Sequence, residues 1–378
     1  MGVLLPMLPF LVLHYGGTPA VVTQLVAFYG LAAFIADPYM GWLSDRIGRI
    51  NLIVLSLVGT LVAFSGMLLS TSLVTLFAFR IFGGALAGRA PVLRALVTDG
   101  VSSETQVNRI SWLAAITAIG ASLGPVLASV TASISPTPAL QYRNTLAAAI
   151  VLNVFALLLA VAVQINGAGR GGSAAARPKP GPTVGKMRIV TLIRTPLILS
   201  VVTSYAYGVL FSMTAIFVKF RFGWGIVQTG WLLTGMAAMV AIGRMFLLPR
   251  LIKRFGSRRA LALLLAIATP ALLAMAFVPV PALFVVASLV FANTCALATV
   301  VPTAQVSVAA PPSDRGYALG VAAAAAALGG FVSSSLNGVL FQYVGYYVPH
   351  LLGAAAMIVG LLVLLATDAP PQPRPAPG

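Results

Sequence analysis

Apolar residues recur along the chain in blocks of roughly twenty, parted by short stretches where Gly, Pro and basic residues collect. A helix of that length crosses a hydrocarbon core of about 30 Å, and the backbone polar groups of a strand or loop would stay unpaired there. The pattern predicts twelve membrane helices near residues 2–16, 20–43, 52–70, 73–98, 110–132, 144–164, 196–218, 227–249, 257–277, 281–303, 316–340 and 345–366. Short alternating segments, the mark of a membrane β-barrel, are not what the blocks look like. The first block is odd. A helix from Gly2 to Tyr15 rises only about 21 Å, so the sequence reads as clipped at its start.

Composition agrees with a bilayer as solvent: 60% of residues are hydrophobic, 8% are charged, and mean hydropathy is +1.01. Soluble domains carry about a quarter charged residues. The formal charge of +17 would suit nucleic acid, but the basic residues sit between apolar blocks rather than on one solvated face, so no nucleic-acid partner is expected. A single cysteine, Cys295, lies in an apolar stretch and excludes an internal disulfide. Two histidines, His14 and His350, leave no histidine triad or multi-histidine metal site, and no GxxxxGK[ST] phosphate loop is present. No enzyme, metal or cofactor is expected.

The Lys and Arg residues set the orientation. Sixteen lie in the loops after spans 2, 4, 6, 8 and 10 and in the tail, against three (Arg143, Lys219, Arg221) on the opposite side and four within spans. Positive loops stay cytoplasmic, so both chain ends are expected inside, in a multi-pass protein of the plasma or inner membrane.

The two halves echo each other. Gly41-Trp-Leu-Ser-Asp45-Arg46-Ile-Gly48-Arg49 follows span 2, and 208 residues on, Pro249-Arg-Leu-Ile-Lys-Arg-Phe-Gly256-Ser follows span 8. Arg109 precedes Gly124 by fifteen residues, as Arg315 precedes Gly330. The reading is an all-α membrane protein of two pseudo-symmetric six-helix bundles. The first covers 1–164 and the second 196–366, joined by a Gly/Pro-rich cytoplasmic linker over 165–195 and followed by a disordered tail over 367–378. Parallel repeats of this kind place a substrate site between them near the midplane.

Three segments carry a family resemblance. Gly41–Arg49 resembles the loop 2–3 signature of the major facilitator superfamily, G-x-L-x-D-R-x-G-R. The resemblance implies a conformational latch. Gly41 would let span 2 pack closely, Gly48 would permit a sharp turn, and Asp45 would meet the N-terminus of span 11 and a nearby arginine, with Arg46 and Arg49 completing the latch. Leu76-Phe-Ala-Phe-Arg80-Ile-Phe-Gly-Gly84 resembles the arginine motif of drug:proton antiporters, in which this arginine is linked with proton transfer. Gly120-Ala-Ser-Leu-Gly124-Pro125-Val-Leu-Ala128-Ser129 resembles the antiporter packing motif G-x-x-x-G-P-x-x-G-G, with Ala128-Ser129 in place of the final Gly pair, which relaxes the packing there. The likeness spans nearly the whole chain and resembles tetracycline-efflux-like and organic-cation-transporter-like members. Drug antiporters of this kind often carry an acid early in span 1, and this chain begins downstream of that point.

Of six acids, only Asp37 falls inside a span, on the same helical face as Gly41. A carboxylate balanced there between desolvation and an arginine suits proton coupling, so Asp37 and Arg80 are the coupling candidates. Spans 1, 4, 7 and 10 face the midline in this fold, which nominates Tyr205, Tyr207, Phe211, Asn293 and Thr294 as cavity-lining groups for an amphipathic or cationic organic solute. The expected function is proton-coupled efflux of a small organic solute by a monomer in a lipid bilayer. Two rivals stand beside it: an uncoupled or uptake carrier for a sugar or organic anion, which span arginines favour, and a non-transporting receptor or scaffold on a transporter fold.

Overall fold

The computed structural model describes residues 2–87, 92–93, 96–97, 103–166, 186–311 and 314–367. Within them the chain is helical: α1 (Leu4–His14), α2 (Pro19–Ile47), α3 (Arg49–Leu69), α4 (Leu73–Ala85), α5 (Ser103–Ser133), α6 (Pro138–Ile165), α7 (Arg194–Phe222), α8 (Ile226–Ile242), α9 (Leu248–Phe277), α10 (Pro281–Ala309), α11 (Arg315–Tyr343) and α12 (Val348–Ala366). Prolines open α2, α6 and α10 within their first turn, where a missing N–H costs nothing. Ser72 and Thr137 cap α4 and α6 by accepting from the backbone N–H of Thr75 and Leu140.

The apolar segments long enough to cross a bilayer include Pro19–Ser44, Arg49–Leu69 and Pro138–Ile165, while Leu4–His14 and Leu73–Ala85 are apolar but shorter. The second half of the expected fourth span, with Arg89, Arg94 and Asp99, lies largely outside the described residues, as do most of the linker and nearly all of the tail.

By packing, the chain divides into two compact units. The first comprises Met1–Lys179, Gly208–Ala241 and Phe331–Pro349, and the second Pro180–Tyr207, Ile242–Gly330 and His350–Gly378. This grouping follows contacts rather than the sequence repeat, so each unit draws on both sequence halves. In the first unit α2 packs on α4, and α3 packs on α4 and α6. Ile50, Ile53 and Leu57 of α3 bury against Leu157 and Ala160 of α6. In the second unit α9 packs along α10.

Two local features depart from the sequence expectation. The end of the connection read as a flexible linker is a short helix, Lys186–Leu192, and Ile189 and Ile193 are buried with Val306, Ala310 and Ala318. Those apolar residues dock the segment. Between α8 and α9, Gly243–Leu247 forms a π-helical turn.

The repeat is written in the backbone as well. Gly48 has φ +92° and ψ 148°, and Gly256, 208 residues later, has φ +77° and ψ 162°. Both conformations are open only to glycine.

Candidate functional site

The loop 2–3 segment is built around Gly48, whose N–H donates to the Ser44 carbonyl at 3.0 Å and ends α2. Asn51 Nδ2 donates to the Ile47 carbonyl at 2.5 Å, and Gln164 Nε2 donates to Asn51 Oδ1 at 2.8 Å, tying the turn to the end of α6. The Arg46 guanidinium lies 3.9 Å from the Trp42 ring centroid. The side chains of Asp45 and Arg315 lie outside the described residues. Gly41 corrects the expectation of close packing. Among the described residues a Cβ there would meet nothing within 4 Å, while Met40 and Leu43 on either side of it pack on the α3 cluster.

Arg80 is buried, at 5% exposure. Its guanidinium sits 4.3 Å from the centroid of Tyr29 on α2. A cavity of about 20 Å³, room for one water, adjoins it between Thr60, Phe64 and Met67 of α3 and Phe79 of α4. Gly84 lets α4 approach so closely that a Cβ would lie 2.5 Å from the Tyr29 carbonyl oxygen. Arg80 is therefore held inside the α2–α3–α4 packing. Asp37 is exposed and, among the described residues, makes no hydrogen bond or ion pair. The two coupling candidates are not brought together: eight residues separate Tyr29 from Asp37, roughly 80° around α2.

The packing motif of α5 behaves differently from its expectation at both ends. Gly124 is the point of closest approach, where a Cβ would fall 2.6 Å from Gly2 Cα and 2.8 Å from Val3 N. Gly120 has open space around it, so the expected GxxxG contact uses one of its two glycines. Pro125 sits inside the helix, and its carbonyl accepts from Ser129 Oγ at 3.0 Å. Ala128 and Ser129 do not loosen the motif. Both are 0% exposed, and Ser129 Oγ also donates to the Val227 carbonyl of α8 at 3.2 Å. The facing helix supplies the missing glycine: a Cβ on Gly230 would lie 3.0 Å from the Pro125 carbonyl oxygen.

Sequence reasoning missed a seam at the end of the molecule that the charge count assigns to the outside. Ser129–Val227 is part of it. Gln24 Nε2 of α2 donates to the Ser335 carbonyl of α11 at 3.0 Å, Ala20 N donates to Gln342 Oε1 at 3.4 Å, and Lys219 Nζ lies 5.0 Å from the Phe10 ring centroid. Each contact joins a first-half helix to a second-half helix inside one packed unit. An open recess of about 500 Å³, lined by Pro19, Phe217, Phe220, Arg221, Phe341, Gln342 and Tyr346, adjoins the seam. Small or amide residues at 20, 24, 230 and 338 were the available signal, and they are indistinguishable in sequence from ordinary helix packing.

Of the cavity candidates, Phe211 is 42% exposed, whereas Asn293 and Thr294 are buried. Thr294 Oγ1 donates back to the Val290 carbonyl at 2.8 Å, so its hydroxyl is engaged within α10. Asn293 abuts Gly243, the first residue of the π turn. Tyr205 and Tyr207 are both half-buried on α7.

A family model for the Major Facilitator Superfamily matches residues 1–309 and, separately, 197–378. The chain belongs to that superfamily. This superfamily member is an all-helical multi-pass membrane protein with about twelve helices. It is 24% identical over 273 residues to the class B tetracycline resistance protein of Escherichia coli, covering 69% of this chain and 65% of that protein, and so spans under two thirds of that relative's length. It is 23% identical over 374 residues to multidrug resistance protein 1 of Bacillus subtilis, covering 98% and 92%. Among solved folds, a D-xylose-proton symporter superposes with a TM-score of 0.73 at 16% identity, covering 92% of this chain and 87% of that one.

Proposed function

We propose that this transporter exports a small organic solute by alternating access, with proton entry as the driving reaction. The supporting observation is the seam of α2 against α11. At Thr23 and its neighbours α2 is covered by Gly338. Asp37 and Gly41 fall within roughly 40° of the same helical face, where Asp37 is exposed and a Cβ on Gly41 would meet no described atom within 4 Å. A face packed at one end, with an exposed carboxylate further along it, suits a carrier whose helices part and close. The relatives named for tetracycline and multidrug resistance support the direction and the solute class.

In this reading Gly41, Asp45, Arg46, Gly48 and Arg49 form the inner latch between two six-helix bundles, 1–164 and 196–366. Asp37 carries the proton, Arg80 fixes α4 to α2, and both chain ends are cytoplasmic. Tyr205, Tyr207, Phe211 and Asn293 belong to the solute path.

The test is flux from proteoliposomes of the full chain for tetracycline, norfloxacin and ethidium, with and without an imposed pH gradient. Gradient-dependent export that Asp37→Asn abolishes at normal protein levels is the expected result. Export indifferent to the gradient, or unchanged in Asp37→Asn, refutes the coupling.

A further inference from the structure

We propose that Arg244, presented by the π turn of α8, binds an anionic group of the transported solute, so that the substrates are amphipathic organic anions such as aromatic carboxylates or phenolates. The transport part rests on the carrier reading above, and the binding part stands without it.

Arg244 is a cation within a helix that crosses the membrane, and it is exposed, unlike Arg80. A guanidinium open to hydrocarbon is costly, and such residues face a water-lined path or a partner. Among the described residues Arg244 makes no hydrogen bond or ion pair. Tyr207 of α7 lies within electrostatic reach of the Arg244 guanidinium. Arg244 therefore lies near α7, and the neighbouring Gly243 abuts Asn293 of α10, both helices nominated for the solute path.

The turn that carries it is specially built. Gly243 is buried against Asn293 of α10, and Asn293 is itself buried. Its Oδ1 has no hydrogen-bond donor among the described residues. The widened turn over Gly243–Leu247 begins at the glycine that Asn293 abuts, and Arg244 is its second residue. Single π turns inside α-helices are frequent at functional sites. The planar guanidinium matches a carboxylate in two-pronged fashion, and the Tyr207 ring offers an apolar face for the body of the same solute.

The experiment measures binding of fluorescein, an aromatic dianion, and ethidium, an aromatic cation, to the purified full chain by fluorescence anisotropy. Wild type is compared with Arg244→Gln and with Arg259→Gln, an exposed arginine away from the turn. The expected result is that Arg244→Gln weakens fluorescein roughly 10- to 100-fold, with ethidium and Arg259→Gln unaffected. The proposal is overturned if wild type does not bind fluorescein, if Arg244→Gln binds it as well as wild type, or if both variants weaken it alike. Should Arg244→Gln not fold, Arg244→Lys carries the test: loss of the planar fork weakens fluorescein by about three-fold or more, and equal affinity overturns the proposal. A fluorescein flux arm separates the two readings. Arg244-dependent binding without flux under any gradient leaves the anion site standing and removes the carrier.

Discussion

Replacing Gly338 with alanine tests whether the seam of α2 against α11 belongs to one transport state. A methyl at that position would sit 2.8 Å from the Pro19 carbonyl oxygen and 2.9 Å from Ala20 Cα. Both are backbone atoms in the first turn of α2, where Pro19 fixes φ, so neither yields as a side-chain tip would. The helices must part until the closest approach reaches the 3.4 Å of ordinary contact. Overpacking of this kind costs about 1–3 kcal/mol. The Gln24–Ser335 bond lies one turn away and the Ala20–Gln342 bond a turn in the other direction, and losing either adds about 0.5–1.5 kcal/mol.

If the seam exists in one state and dissolves in the other, the whole penalty falls on the closed state. About 2 kcal/mol then shifts the ratio of the two states roughly 30-fold. The assay is a distance measurement between spin labels on Thr71→Cys and Tyr343→Cys, both exposed positions, in a Cys295→Ser background that removes the native thiol. Gly338→Ala should convert a short distance into a majority of longer ones. A folded, monodisperse variant with an unchanged distance distribution refutes the reasoning. So does a general fall in Tm without any redistribution, since the seam would then be static packing.

Three further outcomes follow from particular side chains. Gly48→Ala and Gly256→Ala each force a side chain into backbone only glycine adopts, and each should cost about 1–3 kcal/mol, read as a lower Tm in detergent; an unchanged Tm at both positions contradicts the strain argument. Arg80→Met removes the stack on Tyr29 and should lose up to about 2 kcal/mol, and Tyr29→Leu should lose nearly as much, with the double variant little worse than either; simple additivity of the two losses would mean they do not act on one another. Arg258 donates to the carbonyls of Leu364 and Thr367 at the end of α12, so Arg258→Ala should speed amide exchange over the last turn of that helix and leave α3 unchanged.

Most of the architecture was legible because the bilayer simplifies the code. Lengths of apolar sequence, basic loops and the 208-residue echo require no knowledge of partners. The glycines at 48 and 256 were readable for the same reason: a backbone requirement belongs to one position. What escaped was pairwise. Gly41 and Gly120 looked like contact points from their motifs, but a contact needs a second surface, and no described residue supplies one at either. Conversely, Ala128-Ser129 looked like a loosened motif, whereas Gly230 on a helix a hundred residues away restores the approach. The π turn at Gly243 lies against Asn293, fifty residues further along, and no local pattern in α8 announces that contact.

The separation of Arg80 from Asp37 constrains how coupling can work. An arginine and a carboxylate in direct contact would move together, and protonating the acid would strand the cation. Here Arg80 is enclosed by Tyr29, Thr60 and Phe64, while Asp37 lies on another face of α2 with no described partner. Protonation of Asp37 therefore leaves the α2–α4 contact intact and changes only what that open face can meet. The same face packs on Gly338 near Thr23, so on the proposed reading a charged group further along must be neutralised or paired before a second helix can cover it too. A proton supplies the first solution and an arginine the second. The proposed coupling then amounts to a choice between them at one exposed carboxylate, with Arg80 holding α4 to α2 throughout.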